Sequence, residues 1–152
     1  MDKNSFERNP YVRPLKDVGY DDIGQVGGKS ASLGEMLSGL SSAGVRVPEG
    51  FSTTVDAFRC FIKENALEER IVSILRQYQE KQLQLRQAGK GIRDLILKSV
   101  FPEKVATAIR SAYRYLCTQY EADSLAVAVR SSATSEDQPG ASFAGMLDTH
   151  LN

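Results

Sequence analysis

Residues 125–129 read LAVAV, and no other feature limits the fold so tightly. The run is short, continuously apolar and rich in valine, so it reads as a buried strand rather than a helix. The rest of the chain is patterned mostly for helices. Leu33, Met36, Leu37 and Leu40 recur at helical spacing, as do Phe58, Phe61 and Ile62, and then Ile71, Ile74, Leu75 and Tyr78. Val105, Ile109, Ala112, Tyr113, Leu116 and Tyr120 form a further stripe, opened by Pro102. Only two other stretches offer strands, Phe51–Thr53 after the Pro48/Gly50 turn and residues 146–152. Two or three short strands cover little of so many helices, so the fold class is α+β, helix-rich, with a small incomplete sheet.

Between these elements the punctuation is clear. Residues 1–16 are polar and carry two prolines, which predicts a flexible lead-in. Residues 17–29, DVGYDDIGQVGGK, read as an acidic, Gly-rich loop. Gly44 suits a helix stop, and Thr53 or Thr54 suits the cap of the helix that follows. Residues 66–99 read as largely helical, interrupted at Gly89 and Gly91. No internal linker is apparent, so residues 17–152 read as one domain.

Composition excludes several classes. Nineteen basic and nineteen acidic residues cancel, leaving no overall positive field to hold nucleic acid or an anionic membrane. The N-terminus has no apolar signal region and no run spans a bilayer, so a cytoplasmic protein is expected. Cys60 and Cys117 lie in helical segments and read as reduced and packed. The sole histidine, His150, reads as a surface or strand residue.

Chemistry is suggested at two places. In VGGKSASLGEML, Lys29 follows Gly27 and Gly28 at the start of a helix. Glycines allow close backbone approach, a helix N-terminus attracts anions, and the lysine adds a full charge. The match to a P-loop fails, because Ile23 stands where its first glycine is needed. From spacing alone, an ordinary Gly-rich helix start with a solvated lysine explains the pattern better than a phosphate site does. The second place is VAVRSSATSEDQPGASFAGM. Arg130 ends the apolar run, and a guanidinium matches phosphate oxygens in pairs. Ser131, Ser132, Thr134 and Ser135 follow with hydroxyls, and GASFAGM offers close backbone approach. The alternative is a surface arginine paired with Glu136 or Asp137.

Together, VGGKSASLGEML…VPEGFSTTVDAF and AVAVRSSATSEDQPGASFAG…DTHLN resemble the N-terminal nucleotide-binding region of the phosphoenolpyruvate synthase and pyruvate, phosphate dikinase family. Rifampicin phosphotransferases are similar. The resemblance runs from about Val18 to the end of the sequence and implies the N-terminal part of an ATP-grasp-like module that binds ATP with Mg²⁺. It implies that Lys29 and Arg130 contact the nucleotide phosphates, with Gly27, Gly28, Ser131 and Ser132 supporting them. It implies a loop over the nucleotide formed by Ser142, Phe143, Ala144, Gly145, Met146, Leu147, Asp148 and Thr149. In the full-length family a histidine on a separate domain is phosphorylated, and pyruvate becomes phosphoenolpyruvate on another. His150 does not correspond to that histidine, and Asp148 is the sole weak candidate for a metal ligand. The sequence is several-fold shorter than those enzymes, so a truncated chain of weak or no activity is expected. The competing expectation is a non-catalytic binding or regulatory module that pairs with a separate polypeptide through an exposed edge strand, and a third is a poorly folding chain whose uncovered sheet face leads it to aggregate or dimerise.

Overall fold

The computed structural model describes residues 9–40, 43–134 and 149–151. Among these the protein is helix-rich with two small antiparallel sheets, each of two strands, consistent with the α+β class. The chain divides into two compact units, one from Met1–Ala57 with Thr107–Asn152 and the other from Phe58–Ala106.

In the first unit, β1 (Val12–Pro14) pairs antiparallel with β2 (Phe51–Thr53), Val12 opposite Thr53 and Pro14 opposite Phe51. This strand lies in the stretch read from its prolines as a lead-in. Pro14 is tolerated because it ends a strand in a two-stranded ribbon, where a missing N–H costs little. Val12 is 1% exposed and packs with Ala108 and Ala112, which ties β1 down.

The acidic loop of the sequence reading is in fact tightly wound. A 3₁₀ turn at Leu15–Asp17 leads into it, and within it lie a second 3₁₀ turn at Tyr20–Asp22 and a one-turn helix α1 (Ile23–Val26). Its Asp22 makes the turn rather than loosening it. Asp22 accepts the Gly19 N–H at 3.0 Å and pairs with Arg13, whose guanidinium also donates to the Asp17 carbonyl. Burial pushes the Asp22 carboxyl up, but the Gly19 N–H and Arg13 outweigh it and hold it below its ordinary value of 3.8. A carboxyl lowered by folding stabilises the protein above its unfolded pKa, and that contribution is lost as pH falls through the folded pKa. Asp22→Asn is therefore expected to cost about 1 kcal/mol at pH 7. It should also blunt the loss of stability below about pH 4. Urea unfolding at pH 7 and pH 3 checks both, and equal acid sensitivity of the two proteins would contradict the pairing.

Helix α2 (Gly28–Leu40) follows. Of its predicted stripe, Leu33 and Leu37 pack on a core of Leu15, Val18, Val26 and Ala31, whereas Met36 and Leu40 are exposed. The fully buried face is made of small residues instead: Gly28, Ser30, Ala31 and Gly34. A Cβ at Gly34 would stand 2.0 Å from the Val18 carbonyl oxygen, so the helix packs backbone-close. Gly44 takes φ +78°, the left-handed form suited to a chain leaving a helix.

Thr54 caps α3 (Val55–Glu64): its Oγ1 accepts the Ala57 N–H at 3.4 Å and donates to the Pro10 carbonyl at 2.5 Å. The buried positions of α3 are Ala57 and Cys60 rather than the predicted phenylalanines, and Phe58 is 59% exposed. Small residues one turn apart make the contact face.

In the second unit, α4 (Glu68–Gln79) and α5 (Leu85–Leu97) pack together, with Leu67 and Ala88 buried. The helical segment breaks at residues 80–84, not at Gly89 and Gly91. Lys81 adopts φ +59° there, and Gln87 Oε1 accepts the Gln84 N–H at 2.8 Å to start α5. Gly91 stays helical and lets Ile74 approach; a Cβ would lie 3.3 Å from Ile74 Cδ1.

Helix α6 (Glu103–Gln119) begins after Pro102, whose carbonyl accepts the Val105 and Ala106 N–H groups. Cys60 and Cys117 are both free and buried, as expected. The Tyr113 hydroxyl accepts the Leu125 N–H and donates to the Leu125 carbonyl, each at 2.9 Å, fixing the chain ahead of β3 (Ala128–Arg130). β3 pairs antiparallel with β4 (Thr149–Leu151). The predicted buried strand is corrected here: β3 begins at Ala128 and its residues are exposed, Val129 by 60%. A ribbon of two strands cannot cover both of its own faces. No described helix is long and apolar enough to cross a membrane.

Candidate functional site

Gly27 joins α1 to α2 with φ +81° and ψ 161°, a conformation open essentially to glycine alone. The bend it makes starts α2 at Gly28 and leaves Lys29 exposed in the helix's first turn. Gly27 and Gly28 are buried.

Arg130 is the last residue of β3 and is exposed. Thr149 stands directly opposite it in the antiparallel register, so the two share one face of the ribbon. Val129 and His150 form the neighbouring pair and take the other face.

The two segments meet through the loop after Arg130. Ser132 Oγ donates to the Val26 carbonyl at 2.8 Å, across 106 positions of sequence, and accepts the Ser30 N–H at 3.3 Å. The Gly28 N–H donates to the Ala133 carbonyl at 3.3 Å. Gly27 leaves the room for this contact, since a Cβ there would lie 2.3 Å from Ser132 Oγ. The structure thus brings Gly27, Gly28 and the Lys29 turn against Ser132 and Ala133. Ser142, Phe143, Ala144, Gly145, Met146, Leu147 and Asp148 lie outside the described residues, as do Glu136 and Asp137.

Two details differ from expectation. The helix start was expected to offer its N–H groups to an anion, but those of Gly28 and Ser30 donate to the protein's own loop. Ser132 was expected among the hydroxyls presented to a ligand, but its one proton goes to Val26. Sequence reasoning missed Ser30 and Ser52 altogether. Their hydroxyls form a buried pair at 3.0 Å that ties the start of α2 to β2. Both look like ordinary surface serines in sequence, and no local pattern marks a contact between them.

Two exposed cations, Lys29 and Arg130, are thereby carried on segments bonded to each other. Their chemistry suits an anion with several oxygens, such as a phosphate chain. It does not suit a metal ion. Among the described residues no group of three or more His, Cys, Asp or Glu side chains is placed to hold one.

Comparison with known proteins gives the chain's family. The chain is 46% identical over 143 residues to the phosphoenolpyruvate synthase of Neisseria meningitidis serogroup B, covering 93% of this chain and 18% of that protein. It is 45% identical over 145 residues to the phosphoenolpyruvate synthase of Escherichia coli K12, covering 95% and 18%. A probable phosphoenolpyruvate synthase of Methanocaldococcus jannaschii is 45% identical over 143 residues, covering 93% and 12%. The chain therefore spans less than a fifth of the length of these relatives. Residues 23–152 match the family described as pyruvate phosphate dikinase, AMP/ATP-binding domain, and the chain belongs to that family.

Proposed function

We propose that this chain holds the phosphates of ATP for a phosphoenolpyruvate synthase-like dikinase, with Lys29 and Arg130 as the phosphate-binding cations. The observation that carries the reading is the pair of hydrogen bonds made by Ser132, which join the two cation-bearing segments across the sequence. Phosphoryl transfer depends mainly on positioning and charge neutralisation, and two exposed cations on bonded backbone segments supply both. Thr149, on the face of the ribbon that carries Arg130, is the described part of the proposed nucleotide loop. The proposal includes an ATP-grasp-like architecture for residues 17–152, supported by the family membership.

The phosphoryl acceptor in this reading is a histidine elsewhere in the dikinase, and pyruvate is the final acceptor. His150 lies on the ribbon face opposite to Arg130, which supports a structural role for it. Mg²⁺ accompanies ATP in the reading, but no step is assigned to it because the described residues supply no cluster to hold it.

Calorimetric titration with a non-hydrolysable ATP analogue tests the reading. Lys29→Ala and Arg130→Ala are each expected to weaken binding about tenfold, the loss of one charge-assisted contact. Higher salt should weaken the wild type and affect each variant less. Unchanged affinity in both variants would overturn the assignment.

A further inference from the structure

We infer that Ser132 is a positioning residue for Arg130, acting through its hydroxyl and never touching the nucleotide. This inference rests on the phosphate site proposed above. A serine hydroxyl has one proton to give and can accept from others. The proton of Ser132 goes to the Val26 carbonyl at 2.8 Å, and its oxygen accepts the Ser30 N–H at 3.3 Å. Gly27 closes over the same oxygen, with no room there for a Cβ. A hydroxyl so committed cannot also donate to a phosphate oxygen.

What the hydroxyl fixes is the backbone just beyond Arg130. The strand that carries Arg130 is exposed along its length, so its own packing does little to set where the guanidinium stands. Ser132 follows two positions later and is bonded to both sides of the Gly27 bend. Its partner Ser30 is 8% exposed and is tied in turn to Ser52, also 8% exposed. A chain of polar contacts therefore runs from β2 through the start of α2 to the loop after β3. Lys29 lies on that path, next to Ser30. The spacing of Lys29 and Arg130 is set by this relay rather than by the ribbon.

The test is a double-mutant cycle read by titration of the full chain with a non-hydrolysable ATP analogue, beside thermal unfolding. Ser132→Ala is expected to weaken binding about tenfold while the protein keeps a cooperative transition. In the Arg130→Ala background the same substitution should change affinity less than about twofold, because the residue it positions is gone. An equal loss in both backgrounds would overturn the inference, as would no loss with Ser132→Ala when Arg130→Ala does weaken binding. If Arg130→Ala alone changes nothing, Arg130 has no place in the phosphate site and this inference falls with it, whereas unchanged affinity in Lys29→Ala as well would mean that the phosphate site itself fails. Should Ser132→Ala lose its transition, Ser132→Cys keeps the side-chain volume with a much weaker donor. It is expected to show the same dependence on Arg130, and wild-type affinity in that variant would overturn the inference.

Discussion

Gly27→Ala is expected to part the two cation-bearing segments and to abolish measurable nucleotide binding. The backbone at Gly27, φ +81° and ψ 161°, is one that alanine adopts only under strain, of order 1–3 kcal/mol. The added Cβ would also lie 2.3 Å from Ser132 Oγ, 2.8 Å from Ser132 C and 2.9 Å from Ala133 N. Two of those three atoms are backbone, so rotating a side chain cannot relieve the clash. Overpacking of this kind adds a further 1–3 kcal/mol or so. If the loop moves away, the Val26–Ser132 and Ser30–Ser132 bonds go with it. Urea unfolding should show a loss of about 3 kcal/mol, the sum of the two lower-to-middle figures. Titration with the ATP analogue should show no saturation. Wild-type affinity in a folded Gly27→Ala protein would mean that the contact does not hold the site.

Gly34→Ala sets two effects against each other. In a helix interior alanine is favoured over glycine by about 1 kcal/mol. Against this, the new Cβ would stand 2.0 Å from the Val18 carbonyl oxygen, 2.6 Å from that of Leu15 and 2.9 Å from Val18 C. All three are backbone atoms of the turns that α2 packs against. Overpacking of up to about 3 kcal/mol exceeds the helix preference, so a net destabilisation near 2 kcal/mol is expected. The shift in urea midpoint decides the sign. A more stable variant would show that α2 lies further from those turns than the backbone-close packing described.

Much of this fold was legible in the sequence because helices announce themselves locally. The stripe of α6 and the Thr54 cap can be read from neighbours three and four positions apart. The errors have a common cause in what periodicity leaves out. Met36, Leu40 and Phe58 carry the apolar signal, yet the buried positions beside them are Gly34, Ala31 and Ala57, which are small enough for close approach. An apolar pattern marks a face that can be buried, not the partner that comes closest. Residues 17–29 looked like loop because Asp and Gly are poor helix formers. The Asp22 side chain instead satisfies the Gly19 N–H and Arg13, and so winds the turn.

The candidate site was legible in its charges and not in its assembly. Lys29 and Arg130 could be singled out from their local settings. Nothing local to Ser132 shows that its hydroxyl bonds Val26, because that contact spans 106 positions. The same holds for Ser30 and Ser52, whose pairing spans 22. Family resemblance joined the two motifs by function, and the structure adds the bonds between them.

Whether Lys29 and Arg130 serve one phosphate site is answered most directly by backbone amide NMR of the full chain during titration with the non-hydrolysable ATP analogue. One site requires residues 26–31 and 129–134 to shift together with a common midpoint, and Arg130→Ala to weaken the response of both segments. Shifts confined to one segment, or separate midpoints for the two, would contradict a single phosphate site built from both motifs.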